Sequence, residues 1–332
     1  VREDENWFAH LSYLSPHPPW IAPEKYNNMY DPSEVPKPIR RESLEEEGRQ
    51  HPLLKMLHEL IPRSLFFNDK LIEPAALMSD LDVLQARATY YGLMSQVDHH
   101  LGRVVNYLKK SGQYESTLII FTSDHGEQLG DHYSFGKYGY FDQPYSIPLI
   151  IRNPEITKQT SDKSAVIGTQ VELFTETIDV MPTILDWLET EIPEECDGRS
   201  LLPFLQGNIP DNWRTEVHWE YDFRNIGSFQ PIIEQQFGLS PDQCSLTVLR
   251  DEHYKFVHMT ALKPLLFDLQ KDPEEFINRA DDPGYQDIML KYAQKMLSWQ
   301  MLHRDRTLVN MNMESGNLVN WKGPRILNKV GE

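Results

Sequence analysis

The chain of 332 residues is 40% hydrophobic, 25% charged and 11% aromatic, enough to bury a substantial core in about two domains. Its 50 Asp and Glu against 32 Lys and Arg leave a net charge of −18. A field of that sign repels phosphate backbones and anionic lipid, which argues against nucleic-acid and membrane-surface roles. A small anionic ligand remains admissible where a local cluster of cations outweighs the global field.

In chain order, Trp7-Phe8-Ala9-His10-Leu11-Ser12-Tyr13 reads as a strand, ended by the Pro-rich loop Pro16-His17-Pro18-Pro19. From Ile21 to Pro74 prolines punctuate an irregular excursion with one short helix near Leu53–Leu60, and the run Glu45-Glu46-Glu47 reads as a solvated helix face. Leu81, Leu84, Ala88, Tyr91, Val97, Leu101, Val104, Val105 and Leu108 recur at helical spacing, and Gly112 supplies a stop. His99 and His100 point about 100° apart on that helix, so they cannot share a metal from one face; they read as surface or packing residues. Thr117–Thr122 is a near-continuous apolar, β-branched run that suits a central strand covered on both faces, as in a parallel α/β sheet. Ile147–Ile151 is a second strand, in which Pro148 points to an edge or a strand start. Leu173 to Leu188 is amphipathic and helical, interrupted near Pro182. Beyond Gly207 the pattern changes to short strands at Glu216–Tyr221, Ser245–Leu249, Tyr254–Met259 and Leu265–Leu269, closed by a helix from Asp287 to His303. An extended arm follows from Asn310.

These elements imply an α/β layered domain over 1–206, a small antiparallel α+β domain over 207–309, and an arm over 310–332 through which the protein would form homo-oligomers. No run approaches the ~20 apolar residues of a spanning helix, and no signal peptide opens the chain. The chain has no Asn-x-Ser/Thr sequon, so the compartment stays open with the cytoplasm slightly favoured.

The strongest chemical signal is Ser123-Asp124-His125-Gly126-Glu127 at the carboxyl end of the Thr117–Thr122 strand, where ligands gather in open α/β sheets. Asp124 offers a hard oxygen and His125 an imidazole nitrogen, a pair suited to a divalent cation; an Asp there is also a common helix N-cap. In Phe135-Gly136-Lys137-Tyr138-Gly139, Lys137 can set an ammonium beside an anionic substrate oxygen or can be an ordinary surface lysine. His132 either joins the site or ties its loop, with the loop role favoured. His17, stiffened by flanking prolines, would serve as a general acid or hydrogen-bond donor, or as a structural residue. Two cysteines, Cys196 and Cys244, cannot build a disulfide scaffold or a Cys-rich zinc site. The acidic neighbours of Cys196 make it a poor nucleophile. There is no Gly-x-Ser-x-Gly elbow, Walker loop or dinucleotide fingerprint.

Taken in order, four stretches resemble the sulfatase branch of the alkaline phosphatase superfamily, closest to its phosphonate monoester hydrolase and arylsulfatase subgroup. They are Leu11 to Pro19, Ser123 to Glu127 with Gly136-Lys137, Asp197-Gly198-Arg199-Ser200-Leu201-Leu202-Pro203, and Leu265–Leu269 with Asp272, Pro273 and Glu275. The resemblance implies that Asp124 and His125 ligate a catalytic divalent metal (Mn²⁺ or Zn²⁺ favoured, Ca²⁺ disfavoured by the histidine). It also implies that His17 and Lys137 contact a small anionic ester, assisting the leaving group and holding non-bridging oxygens. Sulfatases often carry Asp-Asn at the metal pair; His125 matches the phosphonate hydrolase and phosphatase-like members. Relatives of this kind open with a strand ending in metal-binding aspartates and a Cys-x-Pro-Ser-Arg motif whose Cys becomes the formylglycine nucleophile. Neither feature occurs here, so the chain corresponds to a part of the family's catalytic domain without its first strands, with formylglycine expected from a Cys outside it. The reading is therefore a metal-dependent hydrolase of sulfate or phosphonate/phosphate esters, inactive as this chain alone. The alternative is a non-catalytic binding or assembly module.

Overall fold

The computed structural model describes residues 6–68, 70–154, 167–223, 235–303, 311–315 and 317–320. The chain divides into two compact units, one of Val1–Glu155 with Asn225–Gly238 and one of Ile156–Arg224 with Leu239–Glu332.

The first unit is built on helices. α1 (Glu24–Asn27), α2 (Leu44–Gly48) and α3 (Pro52–Leu60) occupy the proline-punctuated excursion, followed by the long α4 (Asp80–Lys110). α3 starts where expected because Pro52 sits in its first turn and His51 Nδ1 accepts the Leu53 N–H at 3.1 Å. Ser79 Oγ caps α4 by accepting the Asp82 N–H at 3.2 Å. Asp80 and Asp82 lie at its N-terminus and Lys109 and Lys110 at its C-terminus, each favourable to the helix dipole. Gly112 then takes φ +74°, the left-handed stop the sequence announces. α1 and α4 approach so closely that a Cβ on Gly92 would lie 2.1 Å from the Tyr26 carbonyl oxygen. Leu53, Leu54, Met56, Val83 and Ala88 are buried, and Trp20, Phe66 and Phe135 join them as an aromatic cluster with ring centroids 5.2–6.1 Å apart.

Three expectations change in this unit. β1 (Ile119–Thr122) pairs with β2 (Leu149–Arg152), but antiparallel, with Ile120 opposite Ile151. Apolar β-branched composition reports a strand suited to cover; it carries nothing about the direction of its partner. Neither strand is buried on both faces here, and Ile150 is 63% exposed. Residues 7–13 form no ladder; a strand needs a partner as well as propensity, and no described residue supplies one. The acidic run is not wholly solvated: Glu45 is exposed, whereas Glu47 is 0% exposed.

The second unit contains α5 (Val180–Trp187), α6 (Leu202–Leu205), a four-stranded antiparallel sheet, α7 (Gln286–Leu302) and a hairpin of two strands at Met311–Glu314 and Asn317–Asn320. The helix expected from Leu173 begins at Val180 after a single 3₁₀ turn at Thr177–Asp179. Pro182 falls in its first turn, where the missing N–H costs nothing, so the proline does not interrupt it. The sheet strands are β3 (Glu216–Asp222), β4 (Ser245–Asp251), β5 (Tyr254–Met259) and β6 (Leu265–Asp268), in that spatial order. Leu249 lies opposite Phe256 and Phe256 opposite Leu266; Tyr292 and Met296 of α7 pack on this row. The hairpin occupies the start of the expected arm, while 321–332 lie outside the described residues. No described helix is long and apolar enough to cross a membrane.

Two of the four resemblance stretches serve this unit's architecture. Asp179, fully buried, accepts N–H donors from Arg199 and Glu176 and a bidentate pair from Arg214. A Cβ on Gly198 would meet the Ile178 carbonyl oxygen at 1.9 Å, so Asp197-Gly198-Arg199 is a close backbone crossing. Leu265–Asp268 of the last stretch forms β6, and Glu275 beyond it makes a buried ion pair with Lys255 of β5.

Candidate active site

β1 delivers Ser123 to Glu127 from its carboxyl end. Gly126 is required there: a Cβ would lie 2.2 Å from the Gln143 carbonyl oxygen, and its own N–H donates to the Pro144 carbonyl at 2.7 Å. This crossing fixes the backbone beside Asp124 and His125. His125 Nδ1 sits 2.7 Å from the Gly126 carbonyl oxygen. A carbonyl can only accept, so Nδ1 carries the proton, and in the neutral imidazole Nε2 is then the atom that offers a lone pair. Asp124 Oδ2 stands 3.6 Å from that Nε2, on a carboxylate 85% exposed. Burial raises the Asp124 carboxyl, but His125, local backbone N–H groups and Lys137 outweigh it and hold it below the usual range.

An ionised carboxylate and a tautomerically fixed imidazole face the same space, which is the donor chemistry a divalent cation takes. Among the described residues no group of three or more His, Cys, Asp or Glu side chains is arranged to hold a metal. The pair therefore fits as part of a metal site.

The chain then loops from Glu127 to Gly136 and returns Lys137 towards the pair, so that its charge acts on both Asp124 and Glu127. Lys137 is exposed. The loop carries left-handed backbone at Leu129 (φ 50°), His132 (51°) and Tyr133 (54°), besides Gly130 and Gly136, a strain that persists only where surroundings over-determine it. They do so here. Asp131 pairs with the buried Arg87 and accepts the Ile39 N–H at 2.8 Å. His132 is 0% exposed, with Nδ1 2.9 Å from Glu47 Oε1 and its ring stacked 3.7 Å from Phe141. His58 Nε2 donates to the His132 carbonyl at 2.7 Å, and burial pushes the His58 imidazole down to about 4. His132 thus ties the loop and is not at the site.

The structure brings Asp124, His125 and Lys137 together. His17 is exposed, and its described contacts are local: its N–H donates to the Leu14 carbonyl at 2.9 Å, and Nδ1 lies 2.6 Å from the Pro18 carbonyl oxygen. None reaches Asp124, His125 or Lys137. Sequence reading passed over Glu127, Glu47 and Arg87. Glu127 directly follows Asp-His-Gly, the one local signal available for it; the other two meet their partners only through the fold.

The sequence profile of the sulfatase family matches residues 1–190, and that of the N-sulphoglucosamine sulphohydrolase C-terminal region matches 130–301. The chain belongs to the sulfatase family. The multifunctional alkaline phosphatase superfamily protein PehA of Trinickia caryophylli is 48% identical over 309 residues, covering 93% of this chain and 58% of that protein. An arylsulfatase of Clostridium perfringens is 25% identical over 314 residues, 92% of this chain and 56% of its own length. Among solved structures, the phosphonate monoester hydrolase of Agrobacterium radiobacter superposes with a TM-score of 0.88 at 41% identity, over 97% of this chain and 62% of that one. This sulfatase-family chain thus has the α/β fold of the alkaline phosphatase superfamily and spans less than two thirds of the length of these relatives.

Proposed function

We propose that this sulfatase-family chain contributes the Asp124–His125 and Lys137 part of a metal-dependent hydrolase of small anionic esters, phosphonate or phosphate monoesters ahead of sulfate esters. The observation that carries the proposal is the convergence of a carboxylate, an imidazole with Nε2 open, and a lysine on one loop system. The resemblance of Asp-His, in place of Asp-Asn, to the phosphonate hydrolase members supports the order of substrates, as does the name of the solved relative at 41% identity.

Asp124 Oδ and His125 Nε2 would hold the metal, Mn²⁺ or Zn²⁺ before Ca²⁺. When bound, the metal supplies Lewis-acid polarisation of the ester and lowers the pKa of an attacking oxygen. Lys137 places a positive charge where non-bridging oxygens gain negative charge in the transition state. His17 would donate a hydrogen bond or proton to the leaving oxygen after a movement of its Pro-flanked loop. The nucleophile, formylglycine by resemblance, is assigned to no residue of this chain.

A second reading, a non-catalytic binding or assembly module, is favoured by one observation: the described residues offer two metal donors and no activated nucleophile. Substitution in the full-length protein separates the two readings. Asp124→Ala is expected to lose bound metal and turnover together, and Lys137→Ala to keep metal and lose turnover on phosphonate and sulfate esters. Normal turnover by both variants would sink the enzymatic reading.

A further inference from the structure

Lys137 reaches the site through its backbone alone. Its ammonium has no hydrogen-bond or ion-pair partner among the described residues, so nothing at the far end of the side chain sets its position. What sets it is the residue before. Gly136 takes φ +81° in a spot where a Cβ would lie 2.8 Å from the Tyr138 ring, and its N–H donates to Glu127 Oε1. The same oxygen accepts the N–H of Gln128 at 3.1 Å and of Leu129 at 3.4 Å. The Gln128 N–H is shared with the Gly136 carbonyl at 3.1 Å. One carboxylate therefore gathers both ends of the loop, while Arg87–Asp131 and Glu47–His132 hold its far half.

We propose, on the reading of the site given above, that Glu127 is a positioning residue. Its carboxylate closes the base of the 127–136 loop and thereby sets Lys137 beside Asp124 and His125. It touches neither substrate nor metal. Two neutral or charged acceptors of the same shape can do this work, since what the loop needs is an oxygen facing three N–H groups. An alanine cannot: the Gly136 and Leu129 N–H groups lose the acceptor they have in Glu127, the Gln128 N–H keeps only the Gly136 carbonyl, and the lysine loses its register by a distance large enough to matter for charge stabilisation.

The test is a double-mutant cycle in the full-length protein, with turnover of a phosphonate monoester and metal content measured for each variant. Lys137→Ala is expected to lower kcat/KM by about 10²-fold or more, and Glu127→Ala by about 10-fold or more with metal content unchanged. The double variant should sit within about threefold of Lys137→Ala alone, because Glu127 acts through that lysine. Glu127→Gln, which keeps the acceptor oxygen, should recover most of the loss and carries the test if Glu127→Ala fails to fold. Losses that multiply in the double variant, metal lost with Glu127→Ala, or a Gln variant as poor as Ala would each overturn the positioning role. Unchanged turnover in Lys137→Ala would instead overturn the assignment of the site.

Discussion

Gly126→Ala is the substitution in which fold and site meet. The added Cβ would stand 2.2 Å from the Gln143 carbonyl oxygen and 3.3 Å from Pro144 Cα, roughly 1 Å inside an ordinary C···O contact of about 3.3 Å. The obstacle is backbone, and the segment carrying it is bonded to Gly126 itself through the Pro144 carbonyl. It cannot move off without giving up that hydrogen bond, a loss of about 1 kcal/mol, on top of about 1–3 kcal/mol for overpacking. The expected destabilisation is thus about 2–4 kcal/mol, the sum of those two contributions. The displacement passes directly to Asp124 and His125, and a 1 Å error in such groups costs about 10²-fold in rate. Gly102→Ala is the internal control: no atom lies within 4 Å of the new methyl group, inside α4, so a gain of up to about 1 kcal/mol is expected from helix propensity. Denaturant unfolding of both variants at constant m-value, with metal content and ester turnover for Gly126→Ala in the full-length protein, measures each quantity. A Gly126→Ala protein with an unshifted midpoint and full metal content would refute the reasoning.

Other consequences are open to measurement. His58 titrates near 6.5 when unfolded and about 4 when folded. Between those values the unfolded chain binds a proton the folded one does not, so stability is complete above pH 6.5 and falls by about 3 kcal/mol as the pH drops to 4. His58→Gln should flatten the unfolding midpoint across that window; Glu47, whose carboxyl is held low by His132 against its burial, adds its loss only below the usual carboxylate range. Lys255→Met should destabilise by about 3–5 kcal/mol by leaving Glu275 buried without its cation, and Lys255→Met with Glu275→Leu should melt above the single variant in calorimetry. Phe8 and Leu14 are 78% and 79% exposed, beside Trp7 and Leu11. The 332-residue chain by itself should therefore self-associate in light scattering, and a monodisperse monomer at micromolar concentration contradicts this.

What was legible in the sequence was whatever a short stretch decides by itself. The 3.6-residue period located α4 within two residues, and β4, β5 and β6 were legible as neighbouring antiparallel strands because only short connections join each to the next. The adjacency of Asp124 and His125 was also legible, since two neighbouring residues after β1 need no distant partner to face each other, and the structure sets Asp124 Oδ2 3.6 Å from His125 Nε2. Illegible was everything set by a distant partner. Trp7–Tyr13 had strand composition without a ladder, and Glu47 looked like one of three solvated acids until His132, 85 residues away, folded onto it. Arg87 and Asp131, 44 residues apart, likewise carry no local sign of each other in the sequence and form a buried pair in the fold. The acidic composition is equally silent on which acids find partners inside the fold. Several of the acids that give the chain its charge of −18 are spent inside it as acceptors: Asp179 for an arginine and two N–H groups, Asp131 for an arginine and a backbone N–H, and Glu127 for three backbone N–H groups. A carboxylate so engaged organises backbone. On the proposed reading, that distinction lets an acidic chain keep a lysine available to an anionic ester: Glu127 is committed to the loop's own N–H groups and forms no ion pair with Lys137.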